Sequence, residues 1–287
     1  MTLAVKSCCC REGHIQNEID FSLGMSGGGC LALKSADFDI DWRSNTISQF
    51  DGLIRNHLKP IRGILLTKLA VEALEQILRG MSKGRRIREM VRRFLIGSLI
   101  HAVRLGPVKD NVARRTLPVG GQAKIVGGLT ADEVRTILTK APNPVIRLAF
   151  RTQVELGLRV GELLGLDWND LDEEEKTIVV RQQVQRDLRT KKLVLGPLKT
   201  AKSRRVLPFS DGLLVELRKL ERTCAFIFPS DVAGPMEPRK YNRALTQSAK
   251  RAKVGHVSSH MLRHSYASWM LGLGVDIAII SRSLGHT

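Results

Sequence analysis

The chain has 287 residues, which is long enough for two domains with separate hydrophobic cores. Its net charge of +18, from 46 Lys and Arg against 28 Asp and Glu, indicates a polyanionic partner such as nucleic acid; a cationic surface without a specific partner is the open alternative. No apolar run reaches the roughly 18–20 residues of a membrane span and no signal-peptide pattern is present, so we expect a cytoplasmic protein without a membrane partner. The five cysteines form no CxxC pair, and we expect no metal site.

The N-terminal third divides into a leader and a helical bundle. Residues 1–44 hold three consecutive glycines and few periodic apolar positions, which predicts a poorly defined leader. From residue 45 apolar residues recur at helical spacing. We expect one helix from Asn45 to near Pro60, a second that Thr67 caps and that ends near Gly80, and a third over about 85–105. Residues 45–115 hold 15 basic and 5 acidic residues, a net charge of +10.

The third predicted helix combines an apolar stripe with a dense cationic face. Five arginines fall within nine residues, opposed only by Glu89: Arg85, Arg86, Arg88, Arg92 and Arg93. Such a face is usually only a solvated surface. The density of charge here favours contact with the phosphate backbone of DNA instead.

The remainder predicts a second domain with a short sheet. Residues 116–128 hold Pro118 and two glycine pairs, which predicts a linker. A capping box from Thr130 to Glu133 then opens a domain over 129–287. Residues 177–180 and 205–209 predict strands, and 211–220 and 238–252 predict helices. The expected fold class is therefore mainly α, in two domains, with a small antiparallel β-sheet in the C-terminal one.

Two segments of this domain carry candidate functional residues. Arg159 lies between apolar neighbours, and a buried arginine needs a carboxylate or a bound anion. Glu162 is a candidate partner, so a structural ion pair and an anion site both stay open. Between the predicted strands, Gly196–Arg205 predicts a hairpin tip, for which an ordinary exposed turn is the alternative. Its basic residues are Lys199, Lys202, Arg204 and Arg205.

The C-terminal segment has the densest pattern. His260, Arg263 and His264 lie at i, i+3 and i+4 of a helix predicted over about 259–272. Its apolar stripe is Leu262, Tyr266, Trp269, Met270 and Leu273. Glycines end this helix, and a second one, capped by Asp276, stops at Gly285 ahead of His286. Cationic side chains on such a helix pair are costly unless an anion lies between them.

These segments together resemble the tyrosine recombinases, the phage-integrase family. HMLRHSYAS followed by GVDIAIISRSLGH resembles the C-terminal signature of the family, and GLRVGELLGLDWNDLD resembles its first arginine box. LKTAKSRRVLPF resembles its hairpin lysine segment, and SNTISQFDGLIRNHLKP with VKDNVAR resembles, more weakly, its core-binding domain. The resemblance covers roughly residues 45–287. It implies a helical core-binding DNA-binding domain at 45–115 and a catalytic domain at 129–287 that close on duplex DNA as a C-shaped clamp.

The resemblance also implies one catalytic site made of residues that are distant in sequence: Arg159, Lys199, His260, Arg263 and His286. The arginines would bind the scissile phosphate, the lysine would protonate the leaving 5′ hydroxyl, and a histidine would accept a proton from the attacking hydroxyl. Glu162 and His264 would support them, and Lys202 is the alternative lysine. Lys202 and Arg204 would also contact DNA. Neither a metal nor another cofactor is required, and the partners would be double-stranded DNA and other recombinase protomers.

The sequence departs from the family at the nucleophile. The family attacks DNA with a tyrosine that follows the LGH histidine by about nine residues, whereas this sequence ends at Thr287 and its tyrosines are Tyr241 and Tyr266. We expect Tyr266 to be a core residue. The expected function is that of a site-specific DNA recombinase or integrase, truncated before its nucleophile and inactive alone. The alternatives are a non-catalytic DNA-binding remnant that occupies recombination sites and, more weakly, slow nicking by water.

Overall fold

The structure of the chain is a computed structural model. It describes the backbone of residues 4–7 and 17–20, and residues 44–61, 68–82, 84–106, 108–118, 120, 127–187, 190–198 and 203–285. The chain divides into two compact units, residues 1–123 with 188–190 and residues 124–187 with 191–287. The boundary at 123/124 lies within the segment predicted as a linker. None of the helices described has the length and apolar character needed to cross a membrane.

The first unit contains a strand pair that the sequence did not predict. Strands β1 (Ala4–Ser7) and β2 (Asn17–Asp20) pair antiparallel, with Ala4 opposite Asp20. The rest of the predicted leader up to residue 43 lies outside the described residues. The leader prediction therefore stays a prediction there.

Three helices form the core of the first unit, as predicted. They are α1 (Ser44–His57), α2 (Val71–Gly80) and α3 (Arg85–Leu105), which ends at Gly106 in a left-handed conformation with φ 89°. The predicted N-cap of α2 is wrong, because Ala70 occupies that position and makes no capping side-chain bond; Thr67 lies outside the described residues. Leu53, Leu74 and Val91 are buried in one hydrophobic core, since the apolar residues of each helix lie on one stripe.

Seven helices and two small sheets are described in the second unit. The helices are α4 (Ala131–Thr139), α5 (Pro144–Leu156), α6 (Val160–Leu164), α7 (Asp211–Leu217), α8 (Pro238–Arg251), α9 (Ser259–Gly272) and α10 (Ile277–Leu284). The predicted capping box at Thr130 and Glu133 is confirmed. Helix α5 is the most buried, with Phe150 and Val154 in the core, and it packs against α9. Helix α9 thereby carries its functional residues close to the loop that follows α5.

The strand pairing of the second unit contradicts the predicted position of the hairpin tip. Strands β3 (Leu171–Asp172), β4 (Thr177–Val180) and β7 (Arg205–Pro208) form an antiparallel sheet in the order β3-β4-β7. Strands β5 (Gln182–Arg186) and β6 (Leu193–Pro197) form a separate hairpin. The hairpin tip predicted at 196–205 is wrong, because Gly196 and Pro197 end β6. The turn lies earlier, where the Asp187 N–H donates to the Lys192 carbonyl and Lys191 has φ 59°.

The two C-terminal helices follow the prediction except at their exposed end. Asp276 caps α10 by accepting from the Ala278 N–H, and Gly285 ends it with φ 63°. Leu262 is buried, and the Trp269 indole donates to the Leu129 carbonyl. Leu273 is 76% exposed and so does not belong to the buried stripe, because the helix ends before it at Gly272.

Candidate functional site

A single buried carboxylate organises the candidate site. Glu162 lies in the first turn of α6, and its side chain is only 2% exposed. Its Oε2 accepts from the Arg159 backbone N–H at 3.0 Å, and its Oε1 accepts from Arg159 Nη1 at 2.7 Å. Its Oε2 also accepts from Arg205 Nη2 at 2.8 Å. The structural pair weighed from the sequence is thus present, and a further arginine joins it.

Arg263 brings α9 into the same cluster. Its Nη1 donates to the Gly157 carbonyl at 2.8 Å, its Nη2 donates to the Leu284 carbonyl at 2.5 Å, and Nη1 lies 3.9 Å from Glu162 Oε2. Its side chain is 7% exposed. Arg159 Nη2 lies 3.4 Å from the Gly285 carbonyl, beside the carbonyl that Arg263 binds. The two predicted arginines therefore lie on one side of the fold, around the same helix end.

Sequence reasoning missed Arg205 as a site residue. It opens β7, where Val206 is 58% exposed and Leu207 is buried. Because side chains alternate along a strand, Arg205 shares the inward face of Leu207 and Phe209. The apolar residues of this run give that alternation, so the sequence did contain the signal. The basic run around Arg205 was interpreted instead as an exposed turn.

The cluster holds more positive than negative charge. Burial alone would raise the pKa of Glu162, but hydrogen bonds and charge from Arg205 and then Arg159 hold that pKa below its usual value. Burial, followed by repulsion from Arg159, lowers the pKa of Arg263 to about 10, so its guanidinium stays charged at neutral pH. Among the described residues, three guanidinium groups therefore face one carboxylate, an excess of two positive charges. A bound anion would offset that excess.

The two histidines lie on the exposed side of α9 beside this cluster. Partial burial, and then the charges of His264, Arg263 and Arg159, lower the pKa of His260. His260 is therefore neutral at pH 7 and has the protonation state of a proton acceptor. His264 is exposed, and its supporting role stays a prediction.

The remaining predicted catalytic residues, Lys199 and His286, lie outside the described residues, as does Lys202. The described residues next to them are anchored at the site. The Ser203 carbonyl accepts from Arg205 Nη1 at 3.1 Å, and the Gly285 carbonyl faces Arg159. The roles of Lys199, Lys202 and His286 stay predictions.

Both tyrosines of the sequence have structural contacts. Tyr241 is fully buried and donates to Gln153 Oε1 at 2.5 Å, and burial raises its pKa well above the usual value. The Tyr266 ring packs against Gly157, where an added Cβ would lie 2.5 Å from ring atom Cδ1. Its hydroxyl lies 3.3 Å from Ser283 Oγ. Neither residue donates to, or accepts from, the arginine cluster among the bonds described.

The arginines predicted to contact DNA in the first unit differ in their surroundings. Arg85, Arg86 and Arg93 are exposed, and Arg88 is half-buried. Arg92 is only 14% exposed, and its Nε and Nη2 donate to the Thr116 hydroxyl and carbonyl at 3.1 and 3.0 Å. Arg92 therefore fastens the start of the predicted linker to α3, and the prediction that it binds DNA has no support from its position. In the second unit Arg204 is exposed, as predicted.

The sequence profile of the Phage integrase family matches residues 128–287. The tyrosine recombinase XerD of Mycobacterium tuberculosis is 30% identical over 195 residues, which cover 63% of this chain and 60% of that protein. Tyrosine recombinase XerA of Pyrococcus horikoshii is 32% identical over 166 residues, covering 55% of this chain and 52% of XerA. The chain thus spans little more than half the length of these relatives.

Two solved structures have a fold similar to that of this chain. A Tn1549 transposon integrase in complex with transposon right end DNA superposes with a TM-score of 0.75 at 17% identity, covering 88% of this chain and 89% of that one. A lambda integrase dimer bound to a COC′ core site gives 0.68 at 20% identity, covering 88% and 90%. The profile match includes Arg159, Glu162, Arg205 and Arg263 and extends over more than half of the sequence. The chain therefore belongs to the phage integrase family, the tyrosine recombinases.

Proposed function

We propose that this chain acts in site-specific DNA recombination and holds one DNA phosphodiester at Arg159 and Arg263. The observation that carries the proposal is the excess charge of the cluster, in which the described residues place three guanidinium groups against the carboxylate of Glu162. A guanidinium presents fixed, permanently charged N–H groups that match the oxygens of a phosphate. Two of them beside a phosphodiester would also stabilise the charge that grows on its oxygens in the transition state of strand cleavage.

The other groups take the roles that the family resemblance implies. His260, whose pKa is lowered, would accept a proton from an attacking hydroxyl. Lys199 would protonate the leaving 5′ hydroxyl, with Lys202 as the alternative, and His286 would donate a hydrogen bond to the phosphate. Cleavage in this reaction proceeds through a 3′-phosphotyrosyl intermediate. Because Tyr241 is buried and Tyr266 packs on Gly157, we expect these 287 residues alone to bind the phosphate without forming that intermediate.

The proposed partners are duplex DNA and further protomers, and the proposed location is the cytoplasm or nucleoid. Residues 45–115 would supply a core-binding DNA-binding domain, joined by a linker to the catalytic domain over 129–287. The exposed arginines of α3 and Arg204 offer positive charge for phosphate contacts. Lambda integrase forms a dimer on a COC′ core site and a tetramer on a Holliday junction, which supports protomer contacts here.

Duplex affinity as a function of salt tests the phosphate site. The full chain should bind duplex DNA with an affinity that falls steeply as salt rises, since each neutralised phosphate adds about 0.9 to the slope. Arg159→Ala and Arg263→Ala should each weaken binding by about tenfold and reduce that slope. Arg186→Ala is the control, because Arg186 binds Glu237 and the Lys191 carbonyl instead. Equal affinities for all four proteins would refute the assignment of the phosphate site.

A second candidate is a DNA-binding remnant that occupies recombination sites without cleaving them. The placement of both tyrosines in packing contacts favours it for this sequence. A suicide duplex, nicked beside the cleavage position, separates the two functions. A covalent adduct between the chain and DNA would establish cleavage, whereas binding without an adduct supports the remnant. Nicking that is lost in Arg263→Ala would instead indicate water attack at the same phosphate.

A further inference from the structure

Arg205 makes three different contacts at the site, and each joins a different part of the chain. Its Nη2 donates to Glu162 at the start of α6 at 2.8 Å. Its Nε donates to the Ser283 carbonyl near the end of α10 at 2.6 Å. Its Nη1 donates to the Ser203 carbonyl, in the connection from β6 to β7, at 3.1 Å.

From these contacts we infer that Arg205 is a positioning residue that holds the three segments of the phosphate site in one arrangement. The inference rests on the proposed function. Glu162 orients Arg159, and the end of α10 supplies the carbonyls that Arg263 and Arg159 face. The Ser203 segment leads back to the predicted lysines at 199 and 202. One planar group therefore fixes the carboxylate, the helix end and the Ser203 carbonyl relative to each other.

The bonding of Arg205 separates it from Arg159. The Arg205 side chain is 7% exposed, as is that of Arg263, and all three Arg205 nitrogens already donate to protein oxygens. Arg159, by contrast, is 26% exposed and makes its shorter side-chain bond only to Glu162. An added Cβ on Gly285 would lie 3.1 Å from Arg205 Nη1, so the helix end closes over the guanidinium. Arg205 thus acts through Glu162 and the backbone rather than on the DNA.

A lysine at this position would keep the charge but lose the planar geometry. A single ammonium group cannot reach one carboxylate and two carbonyls in three fixed directions. If Arg205 matters only as a positive charge, Arg205→Lys should bind DNA like the wild type. If Arg205 positions the site, Arg205→Lys should weaken DNA binding nearly as much as Arg205→Ala does.

Duplex affinity of the full chain at fixed ionic strength tests this difference. We expect Arg205→Lys and Arg205→Ala to weaken binding by about tenfold each, comparable with Arg159→Ala. Arg186→Ala is a matched control, since Arg186 also donates through Nε and Nη2 to a carboxylate and through Nη1 to a carbonyl. It should keep its DNA affinity, and it should lose less thermal stability because Arg186 is 28% exposed. Wild-type affinity in Arg205→Lys would overturn the inference.

Chemical rescue distinguishes positioning from a general loss of folding. Guanidinium chloride should replace sodium chloride at constant chloride concentration, at levels well below those that unfold proteins. Arg205→Ala should regain several-fold affinity as the free guanidinium occupies the vacated space, while the wild type and Arg186→Ala should not. Absence of rescue in a folded Arg205→Ala protein would count against the inference. If instead Arg263→Ala binds DNA like the wild type, the proposed phosphate site is wrong, regardless of the results for the Arg205 variants.

Discussion

Replacing Glu162 with glutamine tests the central feature of the site, the buried carboxylate among three arginines. The amide has nearly the same shape but no charge, and its NH2 group cannot accept a hydrogen bond. One oxygen of Glu162 accepts from Arg159 Nη1, and the other accepts from the Arg159 backbone and Arg205. Whichever way the amide turns, it therefore loses acceptors for at least one guanidinium.

The expected cost follows from the burial of the partners. Arg205 and Arg263 are each 7% exposed and would both lose the carboxylate that faces them. Removing one partner from a buried ion pair typically costs 3–5 kcal/mol. Because Arg159 is 26% exposed and keeps part of its solvation, we expect the low end of that range. The free energy of unfolding of the second unit should fall by about 3 kcal/mol.

Urea denaturation followed by tryptophan fluorescence measures this loss, since Trp168 and Trp269 both lie in the second unit. Glu173→Gln is a matched control, because Glu173 also binds two arginines, Arg218 and Arg222, but at the surface. The control should change stability far less. Equal losses of unfolding free energy in the two variants would show that burial of the excess charge does not increase the cost of removing the carboxylate.

The pH dependence of folding stability tests the same carboxylate, and its direction follows from the pKa of Glu162. The folded-state pKa of Glu162 lies below its ordinary value of 4.5. Its charge therefore stabilises the fold fully above that ordinary value, and the contribution is lost as pH falls through the folded-state pKa. The stability difference between wild type and Glu162→Gln should accordingly be constant near neutral pH and shrink in acid. A difference that grows in acid would refute the linkage.

Three further predictions concern other parts of the chain. Gly157→Ala should destabilise the second unit by about 3 kcal/mol in urea titrations, because position 157 has φ 61° and its Cβ would clash with Tyr266. Bound DNA should raise the pKa of His260, so duplex affinity should increase as pH falls through that pKa. An NMR titration of His260 measures this shift, and a midpoint that DNA leaves unchanged would contradict the prediction. Arg92→Ala should destabilise the first unit by about 1–2 kcal/mol and leave the salt slope of binding unchanged, whereas Arg93→Ala should reduce the slope.

Helices and helix caps were predictable from the sequence, because they depend on local sequence pattern. The three helices of the first unit and most helices of the second follow from apolar spacing, because a helix buries one stripe regardless of what covers it. The capping box at Thr130 and the cap at Asp276 follow from the same local chemistry. Arg159, Glu162 and Arg263 were candidates because charged residues in apolar surroundings require partners, and the family resemblance implied that they share one site.

Strand pairing was harder to predict, because it depends on residues that are distant in sequence. Strands β5 and β6 alternate too weakly to stand out, and their turn at 187–192 lacks the glycine or proline that marks most turns. The basic run before β7 was therefore assigned to a hairpin tip that the fold places elsewhere. Arg205 was assigned to the exposed turn with it.

The sequence by itself determined the helices, the basic balance and the residue types of a phosphate site. Only the tertiary structure decided which carboxylate the arginines share and which of them is already fully bonded. Those choices depend on bringing α6, β7, α9 and the end of α10 within hydrogen-bonding distance. The separations between Glu162, Arg205, Arg263 and Leu284 exist only in the packed chain, because no local propensity couples residues so far apart in sequence.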